Sequence, residues 1–115
     1  MKQEIKRAIS IRQPYVELIL QGQKVKEFRS RRTLIRERVY LYVAKTPNDD
    51  PTSWRKSGKE PGSLPSGKIV GSVEIIDCKE TSNGQFAYVL AYPKRLRSHL
   101  FAKNQPQPGF WIPQF

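Results

Sequence analysis

The run Lys68–Cys78, Lys-Ile-Val-Gly-Ser-Val-Glu-Ile-Ile-Asp-Cys, constrains the fold more than any other stretch. Its period of two puts Ile69, Val73 and Ile75 on one face and Val70, Ile76 and Cys78 on the other, so both faces are largely apolar. A strand of that kind must be covered on both sides. Gly71 within it predicts a bulge or a close backbone approach of the sort barrel corners require. Val39-Tyr-Leu-Tyr-Val-Ala44 is a second β-branched and aromatic run, and Phe86-Ala-Tyr-Val-Leu-Ala-Tyr92 a third, which Pro93 is expected to stop. Ser82-Asn-Gly84 reads as the hairpin turn between the first and third of these.

The flanking segments add shorter elements. Lys6–Arg12 alternates as a first strand, and Pro14–Gln21 reads as a short helix opened by proline, with Gly22 as its left-handed stop. Lys24–Arg31 returns as a strand, with Val25, Glu27 and Arg29 on one face and Lys26, Phe28 and Ser30 on the other. Thr33–Glu37 is a connector without a clear assignment. Lys94–Lys103 is read as a helical turn through Leu96, Leu100 and Phe101, and Gly109–Ile112 as a closing strand after Pro106 and Pro108. Five or six strands with one or two short helices describe an α+β chain with a closed sheet rather than a helical bundle.

At 115 residues the chain, 1–115, is expected to be one domain. Between Thr46 and Gly67 the composition turns to Pro, Ser, Gly, Asn and Asp, which predicts a long loop over 46–67. Asp50-Pro51 is placed to cap one helical turn inside it, and Trp54 is either an anchor for the loop or a stacking platform. No apolar run approaches a membrane span, and the start lacks an apolar signal core. A lone cysteine, Cys78, leaves no intramolecular disulfide and makes a reducing cytoplasm the default expectation. With one histidine, His99, and one cysteine, neither a zinc cluster nor a His-rich metal site is expected, and no glycine-rich phosphate loop or other cofactor motif occurs.

Charge narrows the partners. The chain carries 21 Lys and Arg against 10 Asp and Glu, a net +11. Residues 1–45 hold 12 basic and 4 acidic side chains, 46–80 hold 5 and 6, and 81–115 hold 4 and none. If the two ends meet in space they form one basic surface, which attracts polyanions.

Ser10-Ile-Arg-Gln-Pro-Tyr15, followed by Gly22-x-Lys24-x-x-Glu27-x-Arg29, resembles the signature of the ASCH domain, a branch of the PUA-like superfamily. The resemblance continues in Arg38–Lys45, Gly67–Cys78 and Gly109–Trp111, and so covers nearly the whole chain outside the central loop. It implies a small PUA-like β-barrel with flanking helices and a cleft suited to RNA or modified nucleosides. Some members are amidohydrolases on acylated cytidine. They resemble this chain at the lysine after the turn glycine, but carry threonine where Glu27 stands and use a later glutamate, whereas no acidic residue follows Glu80. Another branch resembles metal-assisted ribonucleases, for which only Glu27 and Glu74 would be available.

The candidate site therefore centres on Lys24, Glu27 and Arg29. Lys24 is suited to bind phosphate or, partly desolvated, to act as a base. Glu27 and Arg29 are spaced to pair with each other, or to meet a base edge and a phosphate. Arg31, Tyr15 and Trp111 complete the nucleic-acid candidates, the two rings as the choices for stacking. Glu74, alone among apolar neighbours, needs a cation such as Lys24 or Arg29 or else faces outward at a sheet edge. If the protein is an enzyme, Lys24, Glu27 and Glu74 are its catalytic candidates. The leading expectation is an RNA-binding module holding single-stranded RNA or a nucleobase. The alternative is a small enzyme on RNA or a modified nucleoside.

Overall fold

A computed structural model describes residues 4–115; Met1–Gln3, the first residues of the basic N-terminus, lie outside the described residues. Six strands and two helices follow one another as β1 (Ala8–Ile11), α1 (Tyr15–Leu20), β2 (Lys26–Arg29), β3 (Arg38–Val43), α2 (Pro51–Ser57), β4 (Ile69–Glu80), β5 (Phe86–Leu100) and β6 (Phe110–Trp111). All six strands join one sheet in the order β2-β5-β4-β3-β1-β6. β1 runs parallel to β3, and the other pairings are antiparallel.

The sheet curls into a half-barrel. Tyr88 on β5 stacks on Phe110 of β6 with ring centroids 5.8 Å apart, although three strands lie between the two in hydrogen-bonding order: the curl brings them face to face. Inside the curl, Ile9, Leu41, Val43, Val73 and Ile75 are buried, with Val16 and Ile19 of α1 closing one side. This is the small α+β, PUA-like barrel architecture expected from the sequence.

Three local expectations change. Pro93 does not stop the third run; β5 continues through it to Leu100. Between the pairs Glu74↔Ala91 and Ser72↔Lys94, β5 spends one more residue than β4, so the proline falls in a bulge. β2 pairs only with Phe86–Val89, so this stretch lies beyond the reach of β2 and the missing N–H breaks no bond to it. The expected helical turn through Leu96, Leu100 and Phe101 is strand up to Leu100. A spacing of four is both one helical turn and two strand periods, and the choice was made by the partners: Leu96 and Leu100 pack on a small core of Ala8, Tyr42, Ile69 and Trp111.

The faces of β4 also depart from strict alternation. Register shifts occur at Ile69/Gly71 and at Ile75/Asp77. Val70, Val73 and Ile75 consequently join the main core with Cys78 against it, Ile69 enters the second core, and Ile76 is exposed. Gly71 is the expected close approach. A Cβ there would lie 2.6 Å from the Lys94 carbonyl oxygen and 2.7 Å from Leu20 Cδ2.

The 46–67 segment is anchored rather than free. Asp50 caps α2 by accepting from the Thr52 N–H, and Trp54, 5% exposed, donates its indole N–H to the Asn48 carbonyl at 2.7 Å. Of the two readings of Trp54, the structure selects the anchor. Gln21 and Gln23 donate to the Ser57 and Lys56 carbonyls, which ties α2 to the end of α1. No helix among the described residues is long and apolar enough to cross a membrane.

Candidate functional site

The site grows out of the end of α1. Gly22 adopts φ +80°, and the N–H groups of Gln23 and Lys24 both donate to the Leu18 carbonyl, which swings the chain directly into β2. The strand alternation then turns Lys26 and Phe28 outward and Glu27 and Arg29 inward; Glu27 is only 8% exposed. A carboxylate this buried requires counter-charge. It has two: Lys24 Nζ lies 3.5 Å from Glu27 Oε1, and Arg29 Nε donates to Glu27 Oε2 at 2.8 Å. Arg29 Nη2 also donates to the Ser10 carbonyl on β1 at 2.8 Å. β2 is one edge of the sheet and β1 lies next to the other, so Arg29 spans with a side chain the gap that no backbone pairing closes.

Beside this bridge lies a cleft of about 560 Å³, within the range of about 300–1,000 Å³ common for small-molecule sites. Tyr15, Glu27 and Arg29 form part of its wall, together with Tyr42, the segment Ser10–Arg12, Ala44–Lys45 and the backbone turn Pro106–Gly109. Burial pushes the Tyr42 phenol above its ordinary value, so it remains neutral at physiological pH. Trp111 Nε1 donates to Ser10 Oγ at 3.0 Å, and Ser10 Oγ donates to the Gln107 carbonyl at 2.9 Å, which fixes the Pro106–Gly109 wall against β1. Three cations, Arg12, Arg29 and Lys45, face the cleft against one carboxylate, Glu27.

The expected residues divide by position. Tyr15, Glu27 and Arg29 meet at the cleft. Lys24 does not line the cleft itself; its ammonium lies 5.3 Å from the Tyr15 ring centroid and 5.7 Å from that of Phe28, and it touches the cleft's lining at Tyr15 and Glu27. Trp111, 6% exposed, packs edge-on against Tyr42 at 5.2 Å; it positions Ser10 and offers no free face for stacking. Arg31 is exposed away from the cleft wall, and its carbonyl accepts from the Tyr88 hydroxyl. Glu74 pairs in register with Arg38 and Ala91, half-buried and apart from the cleft, and among the described residues its carboxylate meets neither Lys24 nor Arg29. It takes neither expected placement: it meets neither expected cation, and β4 is an interior strand paired on both sides, so Glu74 is not at a sheet edge.

Arg12, Lys45 and Gln107 were not singled out from the sequence. Arg12 and Lys45 each follow the last residue or two of a strand, inside stretches whose apolar neighbours dominate the reading. Nothing local distinguishes Gln107 from any other residue between two prolines.

One protein-family model, that of the ASCH domain, matches residues 9–101. No curated protein matches the chain.

Proposed function

The chain belongs to the ASCH-domain family, and from that premise we propose that it is an RNA-binding module whose basic cleft holds single-stranded RNA or a nucleobase. The ASCH and PUA-like fold is consistent with a nucleic-acid-related function in general. The observation that carries the finer reading is the Lys24–Glu27–Arg29 network. It fixes an arginine in the wall of an open cleft beside an aromatic ring while leaving positive charge in surplus. Tyr15 supplies a ring against which a base stacks, and Arg29 supplies N–H donors beyond those used by Glu27 and Ser10. Both Glu27 oxygens are engaged by cations. Glu27 therefore holds the two basic side chains in place more readily than it reads a base edge. A single cysteine, which leaves no intramolecular disulfide, is in keeping with a reducing cytoplasm as the compartment of this proposed activity.

Fluorescence anisotropy with labelled single-stranded RNA and duplex DNA, at about 50 mM and about 200 mM salt, tests the proposal. RNA binding that falls with salt and weakens about tenfold in Tyr15→Ala and Lys24→Ala is expected. Equal, weak binding of both polymers that ignores both substitutions would leave only a diffuse basic surface.

One contact favours a second reading as an enzyme on RNA or a modified nucleoside. Lys24 Nζ and Glu27 Oε1 lie 3.5 Å apart as an ion pair, and an amine beside a carboxylate is the pair of residue types that acid–base chemistry would use. Turnover of RNA or an acylated nucleoside that disappears in Lys24→Ala would establish it. Glu74 stands outside that pair.

A further inference from the structure

β1 and β3 are the only parallel neighbours among the described strands, and their C-terminal ends emerge side by side. Ile11 pairs with Val43, and the Ala44 N–H donates to the Ile11 carbonyl at 2.9 Å. The residues that follow are Arg12 on one strand and Lys45 on the other. Both are exposed and both line the cleft whose deeper wall contains the buried Glu27 and Tyr42, so they stand at its rim. Their backbones are held. The Arg12 carbonyl accepts from the Tyr15 and Val16 N–H groups in the first turn of α1, and the residues before Lys45 are tied down by Ala44 N–H to the Ile11 carbonyl and Gly67 N–H to the Val43 carbonyl.

Their charges are uncommitted. Among the described residues neither Arg12 nor Lys45 forms an ion pair, whereas Arg29, deeper in the cleft, is engaged by Glu27 and the Ser10 carbonyl. The Pro106–Gly109 part of the lining belongs to a stretch, 81–115, without a single acidic residue. Two free cations thus stand at one opening, and the one carboxylate lining the cleft, Glu27, is already engaged by Lys24 and Arg29. A neutral base or nucleoside offers these cations only uncharged acceptors and leaves their charge unmatched. A phosphate does, accepting from a guanidinium and an ammonium at once.

We infer that Arg12 and Lys45 form a phosphate subsite at the mouth of the cleft, and that the ligand is a phosphorylated nucleotide unit rather than a free base or nucleoside. The inference rests on the proposed base-holding role of the cleft and adds its ligand class. The phosphate comes from a free nucleotide or from an RNA backbone.

Titration calorimetry with the four common ribonucleosides, their 5′- and 3′-monophosphates and a short oligoribonucleotide tests it, using wild type, Arg12→Ala, Lys45→Ala and the double variant. Lys56→Ala, on exposed α2, is the control for bulk charge. At least one phosphorylated probe should bind at least about tenfold more tightly than its nucleoside, each rim substitution should cost about tenfold, and the double variant should erase the advantage. Urea unfolding of each variant should match wild type, since both side chains are exposed. Tight monophosphate binding would identify a free nucleotide as the source, and binding of the oligonucleotide alone would identify the RNA backbone. Nucleosides that bind as well as the phosphorylated probes, or rim substitutions no more harmful than Lys56→Ala, would overturn the subsite while leaving the cleft's base-holding role intact. No binding by any probe would remove that role and the subsite together.

Discussion

Glu27 shows how a single residue can organise a site without being its reader. Each of its oxygens is held by a different cation, so the carboxylate neutralises Lys24 and aligns Arg29 toward Ser10. Removing its charge leaves two partly buried cations without a counter-ion, which is costlier than the loss of a surface pair. Glu27→Gln is expected to lower stability by about 2–3 kcal/mol in urea unfolding and to weaken RNA binding. A change below about 0.5 kcal/mol would mean that the pair is as solvated as a surface bridge. Glu17 is a second buried carboxylate, 4% exposed, on the far side of α1. Burial raises its pKa, but hydrogen bonds from Arg95 and Gln21 and the charges of Arg95 and Lys59 outweigh this and hold it below the ordinary 4.5. Because the folded state lowers this pKa, the Glu17 contribution is complete above the ordinary value and is lost as pH falls through the folded one. Wild type should therefore exceed Glu17→Gln by about 2 kcal/mol at pH 7, and the difference should shrink below about pH 4. A gap that stays constant down to pH 2 would assign the effect to packing instead of charge.

Strand β5 is the element on which the fold depends most, since it borders both β2 and the full length of β4. Its second half is held to α1 through Arg95–Glu17 and to β4 across Gly71, where the Lys94 carbonyl and Leu20 leave no room for a Cβ. Gly71→Ala should push that half outward at a cost of about 2–3 kcal/mol, and hydrogen exchange should quicken for the amides of 94–100 before those of 86–90. Uniform loss of protection across β5 would mean that the strand opens as one unit. The bulge before it carries its own strain, because Tyr92, 68% exposed, takes φ +55°. Tyr92→Gly should leave stability unchanged or raise it by up to about 1 kcal/mol, whereas glycine in the interior of a strand normally weakens it.

At the scale of the molecule, the charge and the curl act together. The acid-free 81–115 stretch returns through β6 to pair with β1, so the basic N-terminal part and the C-terminal part do meet. A net +11 on so small a body repels itself. Raising salt from about 20 mM to about 300 mM should stabilise the free protein by about 0.5–1 kcal/mol while weakening its hold on RNA. A loss of stability over that range would show that the Glu17 and Glu27 pairs outweigh the surplus repulsion.

Much of this was written locally. The glycine at 22, the proline at 14, the β-branched runs and the alternation of Lys26–Arg29 each depend on backbone sterics and side-chain period, which near neighbours settle. The helix, the strands around it, the Asp50 cap and the inward pairing of Glu27 with Arg29 were legible for that reason. What needed the tertiary structure was everything decided by a distant partner. Leu96 and Leu100 became strand because Ala8, Tyr42, Ile69 and Trp111 lay beneath them. Trp111 was claimed by the core and by Ser10, Glu74 was left outside, and bulges regrouped the faces of β4. Arg12, Lys45 and Gln107 met at one cleft only because the sheet curls until β2 and β1 approach without pairing. The chain's period sets which way each side chain points; only the curl of the sheet decides what it points at.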